Sequence, residues 1–191
     1  MNEQGPSSSQ LREELKHENY KSRYSSVLTD TVAKLAIIAA VAVLIAMLWM
    51  PVLEIYGSSM QPTLQQGDVV LCVKTDKIER GDLIAFYFGN KLLVKRCIAL
   101  PGEVVSIDED GNVFIDGKQL EEHYLSDKSL GHNEIEYPYI VPQERYFLLG
   151  DSRVTSEDSR TEAIGCVGQD QLVGKVLIRV WPFKRFGLIG E

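Results

Sequence analysis

The stretch LAIIAAVAVLIAMLWMPVL, residues 35–53, is an uninterrupted run of 19 apolar residues with polar sequence on both sides. At 1.5 Å per residue a helix of this length spans roughly 28 Å, close to the ~30 Å hydrocarbon thickness of a bilayer. A buried helix of a soluble domain normally shows a polar stripe, and this run has none. We therefore predict one transmembrane anchor over residues 35–53, with Lys34 at one interface and Trp49 at the other.

The basic residues around this run predict its orientation. Lys16, Lys21, Arg23 and Lys34 lie within the 20 positions before it, whereas residues 54–73 contain no Lys or Arg. Because positive charge is retained on the cytoplasmic side of a membrane, we expect the N-terminus to be cytoplasmic. A cleaved signal peptide fits less well, because the run follows a 34-residue polar tail and no convincing small-x-small site follows it.

The composition of the 191-residue chain, with 45% hydrophobic and 25% charged residues, excludes disorder, a collagen-like repeat and a disulfide-dense miniprotein. Its net charge of −7 argues against nucleic acid as a partner, since such proteins neutralise phosphates with basic side chains. The 3 cysteines, Cys72, Cys97 and Cys166, are too few and too scattered for a metal cluster or a disulfide framework. We expect neither a metal nor another cofactor.

Charge and hydrophobicity divide the chain into three parts. Residues 1–34 form a Ser-rich tail with five basic and five acidic side chains, predicted to be largely disordered apart from a possible short helix. Residues 35–53 are the anchor. Residues 54–191 carry the whole net charge and are predicted to form one extracytoplasmic, β-rich domain.

Short runs rich in β-branched and aromatic residues follow the anchor. They are separated by turn dipeptides such as Gly67-Asp68 and Asp116-Gly117, and no long stretch has a strong 3.6-residue period. This pattern predicts a mostly β domain, with an antiparallel sheet or barrel-like arrangement. The predicted strands are residues 68–73, 82–88, 92–99, 103–107, 112–116, 145–149 and 172–180.

Two polar segments are candidates for the chemistry. In GSSMQPTL, residues 57–64, Ser59 is either a nucleophile or part of an ordinary polar loop. It follows residue 53 by six positions, which cover at most about 20 Å, so it acts close to the membrane surface. GDSRVTSEDSR, residues 150–160, is either a solvated loop tied by Asp-Arg pairs or a set of hydroxyls and ion pairs that fixes a catalytic group.

A third candidate is Lys95 in LLVKRCIALPG, residues 92–102. Alternation along a strand places Lys95 on one face with Leu93, Cys97 and Ala99. Burial of this apolar face would remove water from the ammonium group and lower its pKa from about 10.4, so that a neutral amine could act as a base. The alternative is that the side chain extends to water, as most strand lysines do.

Other catalytic arrangements lack suitable residues. The two histidines after the anchor, His123 and His132, lie in an irregular stretch, so a Ser-His-Asp arrangement with Ser59 would require that stretch to fold back. Neither these histidines nor the acidic run from Asp108 has the spacing of a zinc or calcium site. Cys97 has no histidine near it in sequence, which favours a small core residue over a nucleophile.

Five features, in this order, resemble type I signal peptidases: the anchor, GSSMQPTL from Gly57, RGDLIAF from Arg80, VKRCIALPG from Val94, and GDSR from Gly150 with SEDSR from Ser156. The resemblance covers residues 35 to about 180, and the short chain with one span is similar to the Gram-positive branch. It implies a membrane-anchored serine endopeptidase that removes signal peptides from exported preproteins after Ala-x-Ala-like sites. Its partners would be these preproteins, the lipid bilayer and the secretion translocon, at the outer face of a bacterial cell membrane.

The resemblance also assigns roles to single residues. It implies Ser59 as the nucleophile, Lys95 as the general base, and Ser156 as the hydroxyl that holds the lysine by a hydrogen bond. The backbone N–H of Ser59 would bind the oxyanion. Some relatives add a serine hydroxyl two residues before the nucleophile, where this chain has Gly57, so that a backbone N–H or a water must replace it.

Further residues would support the site. The resemblance implies two structural ion pairs, Asp158 with Arg160 and Asp151 with Arg96. It also implies pockets for small substrate side chains, lined by Ile55, Met60, Leu64, Leu93 and Val94.

The last motif departs from the family pattern G-D-N-R-D-x-S-x-D-S-R, because Ser152 and Val154 replace the Asn and the second Asp. Two other functions stay open at this point. One is an inactive membrane-anchored binding module, and the other is a self-cleaving Ser-Lys stress regulator, for which the tail is too small to hold a DNA-binding module. The C-terminal stretch WPFKRFGLI from Trp181 is either a lipid-contacting segment or a last strand with a frayed end.

Overall fold

The structure, a computed structural model, describes residues 27–44, 46 and 49–189. Helix α1 covers Val27–Leu44 and is the one helix of this described part that is long and apolar enough to cross a membrane. It begins before residue 35 because Val27 and Val32 extend the apolar surface, while the charges of Asp30 and Lys34 pair at 2.7 Å. The predictions for residues 1–26 lie outside the described residues.

The end of the predicted anchor differs from the observed structure. Val52 and Leu53 belong to strand β1, Val52–Glu54, which pairs antiparallel with the next strand. The apolar run of the sequence therefore continues beyond the helix into the first strand, where Leu53 packs against a hydrophobic cluster. Hydropathy alone does not separate these two uses of apolar residues, because both remove them from water.

Residues from Trp49 onward form a second compact unit, which is built from two antiparallel sheets. The larger sheet has the strand order β1-β2-β11-β3-β4-β9-β10, and β12 pairs with β11. The mostly β, antiparallel class predicted from the sequence is confirmed. The strands of this sheet are β1, β2 (Val69–Val73), β3 (Leu83–Phe88), β4 (Lys91–Ala99), β9 (Arg145–Leu149), β10 (Val167–Gly168), β11 (Leu172–Trp181) and β12 (Gly187–Leu188).

The smaller sheet has the order β7-β6-β5-β8. Its strands are β5 (Val104–Ile107), β6 (Val113–Ile115), β7 (Lys118–Gln119) and β8 (Tyr139–Ile140). A buried cluster that includes Ile98 and Phe147 from the larger sheet and Val105 and Val113 from the smaller one joins the two sheets. A second cluster, which contains Ile55, Met60 and Leu64, supports the loop between β1 and β2.

Strand pairing leaves two backbone edges of the larger sheet without a partner strand within the described residues. Strand β9 pairs with β4 only from Arg96 to Ala99, so that residues 91–95 of β4 have no strand partner on this side within the described residues. Strand β1 is the terminal strand of the same sheet. Unpaired strand edges can accept an extended peptide by adding a strand.

The C-terminal stretch is a hairpin rather than a frayed end. After Trp181 the chain makes one 3₁₀ turn, Phe183–Arg185, and β12 returns to pair with β11. Phe183, Phe186 and Leu188 are exposed. Lipid contact by these side chains stays a prediction.

Candidate active site

Ser59 lies in the loop between β1 and β2, which is closed at its base by two backbone hydrogen bonds. Ile55 N donates to Asp68 O at 2.8 Å, and Gly67 N donates to Ile55 O at 2.9 Å. Gly57 has φ of +88°, in the left-handed region that favours glycine. The turn leaves Ser59 half-buried, accessible to a substrate.

Charged side chains of the C-terminal hairpin hold this loop. Asp68 is fully buried, accepts a hydrogen bond from Gln65 N at 3.0 Å, and pairs with Arg179 at 3.0 Å and Arg185 at 2.6 Å. Arg179 also donates to the carbonyl of Thr63. The position of the loop therefore depends on residues more than a hundred positions away in sequence.

Lys95 lies on β4 opposite Ile84 of β3, and its side chain is buried, with 3% of the residue exposed. Its Nζ donates a hydrogen bond to Ser156 Oγ at 2.9 Å. Of the two alternatives that the sequence left open for this side chain, burial is observed, and extension into water is excluded. Desolvation lowers the pKa of Lys95 to about 8, and it outweighs the opposite influence of the Asp158 carboxylate.

The polar loop after β9 brings Ser156 to Lys95 and also touches the Ser59 loop. Ser152 N donates to the carbonyl of Ser59 at 3.0 Å. A Cβ at Gly150 would overlap both Ser156 Oγ and the Ser59 carbonyl, so only glycine fits at this meeting point. The hydroxyl of Ser156, the amine of Lys95 and the backbone of Ser59 are thus gathered around Gly150.

Both predicted ion pairs are present and buried. Arg96 binds Asp151 with two hydrogen bonds, Nε to Oδ1 at 2.8 Å and Nη2 to Oδ2 at 2.7 Å. Thr63 Oγ1 donates to the same carboxylate at 2.5 Å, which links it to the Ser59 loop. Arg160 pairs with Asp158 at 2.8 Å, and both side chains are fully buried.

A groove of about 670 Å³ opens beside Ser59, between the unpaired parts of β1 and β4. Three of the five residues predicted to line a substrate pocket, Ile55, Leu93 and Val94, line it. The other two do not. Met60 and Leu64 are 3% and 0% exposed and pack in the core cluster that contains Ile55.

Comparisons with known proteins show the family to which the chain belongs. A sequence profile of the family described as "Signal peptidase, peptidase S26" matches residues 28–181. Signal peptidase IB of Staphylococcus aureus is 35% identical over 153 residues, which cover 69% of this chain and 78% of that protein. The chain belongs to the type I signal peptidase family.

Two further relatives are also described as signal peptidases. A probable signal peptidase I-2 of Synechocystis is 36% identical over 148 residues, 71% of this chain and 65% of that protein. A crystal structure of a signal peptidase I from Enterococcus faecalis is 33% identical, covers 53% of this chain and 98% of that one, and superposes with a TM-score of 0.43.

Membership in the signal peptidase family makes this chain a peptidase, and it supports signal-peptide removal by a serine peptidase. The apolar helix α1 at the N-terminal side is consistent with a single-pass anchor. The described residues contain no group of three His, Cys, Asp or Glu side chains that could hold a metal ion. Cys97 is buried, and burial raises its pKa to about 12, which makes its thiol a poor nucleophile.

Sequence reasoning missed three contacts of the site. Thr63 binds Asp151, Glu122 forms a buried ion pair with Arg153, and the ring of Tyr124 lies 3.8 Å from the guanidinium carbon of Arg96. The GDSR motif indicates that Arg153 has an acidic partner, since a cation next to buried strand β9 needs one. No pattern near Arg153 in the sequence indicates that this partner is Glu122.

The Asp158–Arg160 pair gives a stability prediction. Asp158→Asn leaves the fully buried guanidinium of Arg160 without its counter-charge, and we expect a loss of about 3–5 kcal/mol in the free energy of unfolding. Thermal unfolding of the detergent-solubilised chain measures it. The matched control is Glu157→Gln, an exposed carboxylate of the same loop, which should change stability by less than about 0.5 kcal/mol. Equal losses of stability in the two variants would contradict a buried, stabilising Asp158–Arg160 ion pair.

Proposed function

We propose that the chain is a membrane-anchored serine endopeptidase that removes signal peptides after small-x-small sites, with Ser59 as nucleophile and neutral Lys95 as general base. The observation that carries the proposal is the environment of Lys95. The amine is 3% exposed, is held by Ser156 at 2.9 Å, and lies in the part of the fold where the Ser59 loop meets the loop after β9. Burying a charged amine without a dedicated counter-ion costs free energy, so burial favours the neutral form. A neutral amine can act as a base.

The proposed chemistry uses the lone pair of Lys95. At neutral pH, a pKa of about 8 leaves a usable fraction of the amine neutral. Neutral Lys95 accepts the proton of Ser59 while the Ser59 oxygen attacks the scissile carbonyl, and the backbone N–H of Ser59 stabilises the oxyanion. Lys95 then donates the proton to the leaving amine. A water activated by the same lysine hydrolyses the acyl-enzyme, so the reaction requires no metal or other cofactor.

The groove supports the choice of substrate. Its two sides are the unpaired edges of β1 and β4, so an extended peptide can hydrogen-bond to both backbones. Three branched residues, Ile55, Leu93 and Val94, are among those that line the groove. Branched apolar walls leave space for alanine and exclude bulk by steric overlap, which fits the small residues before a signal-peptide cleavage site.

The proposal places the chain in a bacterial cell membrane. In it, the N-terminal tail is cytoplasmic, α1 is part of the anchor, and the residues from Trp49 form the peptidase domain on the outer face. The basic residues before the span and their absence from residues 54–73 support this orientation. Exported preproteins would be its substrates, and the lipid bilayer and the secretion translocon its partners at the site of cleavage.

The experiment is cleavage of a purified preprotein by the detergent-solubilised full chain, with the new N-terminus read by mass spectrometry. We expect one cut after Ala-x-Ala. Replacing the last alanine by leucine should lower kcat/KM at least about tenfold, because the pocket walls would overlap the larger side chain. A preprotein in which the leucine lies several residues after the cut is the control. Binding without any cleavage would instead support a binding module, and cleavage of the chain itself alone would support a self-cleaving regulator.

A further inference from the structure

Residues 121–137, which lie between β7 and β8 of the smaller sheet, contain no helix or strand and have no role in the proposed reaction. They nevertheless contact the loop after β9 along its length. Leu130 O accepts a hydrogen bond from Arg160 Nη1 at 2.6 Å, and Glu134 N donates to Arg160 O at 2.9 Å. Glu162 N donates to Glu134 Oε2 at 2.8 Å. We call residues 121–137 the strap.

One contact of the strap is a buried ion pair with the loop after β9. Glu122 Oε1 binds Arg153 Nη2, and the two side chains are 0% and 1% exposed. Tyr124 donates its hydroxyl proton to the same carboxylate at 2.6 Å. Glu122 Oε2 and Arg153 Nη1 have no hydrogen-bond partner. A buried pair that leaves two polar atoms unsatisfied contributes little net stability, since desolvation offsets most of the attraction.

The ion pair leads directly to the candidate active site. Arg153 Nε donates to Gly150 O at 3.1 Å, and Gly150 is the residue around which Ser156 and the Ser59 carbonyl meet. On its other side the strap places the ring of Tyr124 over Arg96, which follows Lys95 on β4. Glu122 and Tyr124 thus fix the two arginines next to the lysine and the loop that carries its hydroxyl partner.

We propose that Glu122 is a positioning residue, which acts through Arg153 and Gly150 to keep Ser156 Oγ against Lys95 Nζ and to keep water away from that amine. The inference rests on the proposed function, because it assigns Glu122 to the reactivity of the same lysine. Within the part of the chain that the structure describes, Glu122 forms no hydrogen bond with Lys95 or Ser59.

The pKa of Lys95 depends on the position of the loop after β9, because this loop carries the charged groups that face the amine. Asp158, Glu157 and Asp151 raise its pKa and Arg160 lowers it, all from the loop after β9, while desolvation is the largest influence. If the loop moves away, water enters and the pKa of Lys95 returns toward its ordinary value of 10.5. Less neutral amine is then present at a given pH.

The test compares Glu122→Gln with Glu121→Gln in the full chain. Glu121 is the adjacent carboxylate and is exposed, with its side chain paired only to exposed His123. For Glu122→Gln we expect kcat at pH 7 to fall about 10-fold, the acidic limb of the pH–kcat profile to move about one unit toward alkaline pH, and KM to change less than about twofold. Glu121→Gln should match the parent chain in all three.

A second variant separates positioning from folding. Glu122→Gln leaves Arg153 as an unpaired buried cation and lowers stability, whereas Glu122→Gln combined with Arg153→Met removes both charges and should recover the melting temperature. We expect the shifted acidic limb to persist in this double variant, because nothing then holds Gly150. Recovery of the limb together with the melting temperature would overturn the inference, and so would an unmoved limb in Glu122→Gln. Absence of Ser59-dependent cleavage in the parent chain would instead reject the proposed function.

Discussion

Ser59→Ala abolishes preprotein cleavage, with kcat/KM lowered at least about 10⁴-fold, if Ser59 is the nucleophile of this site. Alanine removes the oxygen that forms the acyl-enzyme, while the backbone N–H of residue 59 and the groove remain. The loop should keep its position, because it is held by backbone hydrogen bonds and by Asp68 rather than by the Ser59 side chain. A quenched-fluorescence peptide that spans a signal-peptide cleavage site measures the rate.

The neighbouring hydroxyl provides a matched control. Ser58 is exposed, and its carbonyl accepts a hydrogen bond from Gln61 N at 3.0 Å, so that Ser58→Ala preserves the backbone turn. We expect its rate within about threefold of the parent chain. Cys97→Ala and His132→Ala should also remain active. Residual activity of Ser59→Ala near the parent rate would reject the assignment of the nucleophile.

Lys95→Met is expected to remove activity to a similar extent and, at the same time, to stabilise the fold at neutral pH. Methionine has a similar length but no amine, so no group remains to accept the Ser59 proton. It also removes the cost of burying the amine. Since the pKa of Lys95 is lowered from 10.5 to about 8, this cost amounts to at most about 3 kcal/mol.

The sign of the pH dependence follows from proton binding. Between about pH 8 and 10.5 the unfolded chain binds a proton at Lys95 that the folded chain does not, so the stability of the parent chain rises with pH in this window. The stability advantage of Lys95→Met is therefore complete below about pH 8 and decreases toward pH 10.5. Denaturant unfolding at several pH values measures it. A Lys95→Met chain that is less stable than the parent at pH 7 would contradict a net cost of burying the amine.

Lys95→Arg distinguishes loss of the base from loss of a cation. Arginine stays protonated at any pH at which the chain is folded, so it cannot accept a proton from Ser59. We expect this variant to be as inactive as Lys95→Met, and restored activity with arginine would contradict a neutral base.

Local patterns predicted the elements of the fold. Runs rich in β-branched and aromatic residues, such as residues 82–88 and 92–99, became β3 and β4. Alternation along β4 placed Lys95 on an apolar face but left burial and extension to water as alternatives, and the structure shows burial. The apolar run at residues 35–53 predicted a membrane-type helix but not its limits, because Val52 and Leu53 serve a strand that pairs with β2. Strand pairing is a nonlocal interaction that hydropathy does not contain.

The sequence motifs predicted a contact when both of its residues lie in the motifs. Ser156, Asp158, Arg160 and Asp151 are examples, since their partners are neighbours in the same loop or on β4. Met60 was predicted to line a substrate pocket but is buried in the core, because the motif does not indicate which side of the loop faces the core. Glu122 could not be predicted, because a contact between an irregular strap and a distant loop is fixed only by the assembled fold.

The pH dependence of kcat/KM for the parent chain tests the central claim most directly, because it reports protonation of the base in the free enzyme. The substrate is a preprotein peptide without ionisable groups near the cleavage site. We predict that log kcat/KM rises with a slope of one up to about pH 8, the pKa of buried Lys95, and is level above it. A rate that is constant between about pH 5 and 9 would contradict a neutral lysine as the base.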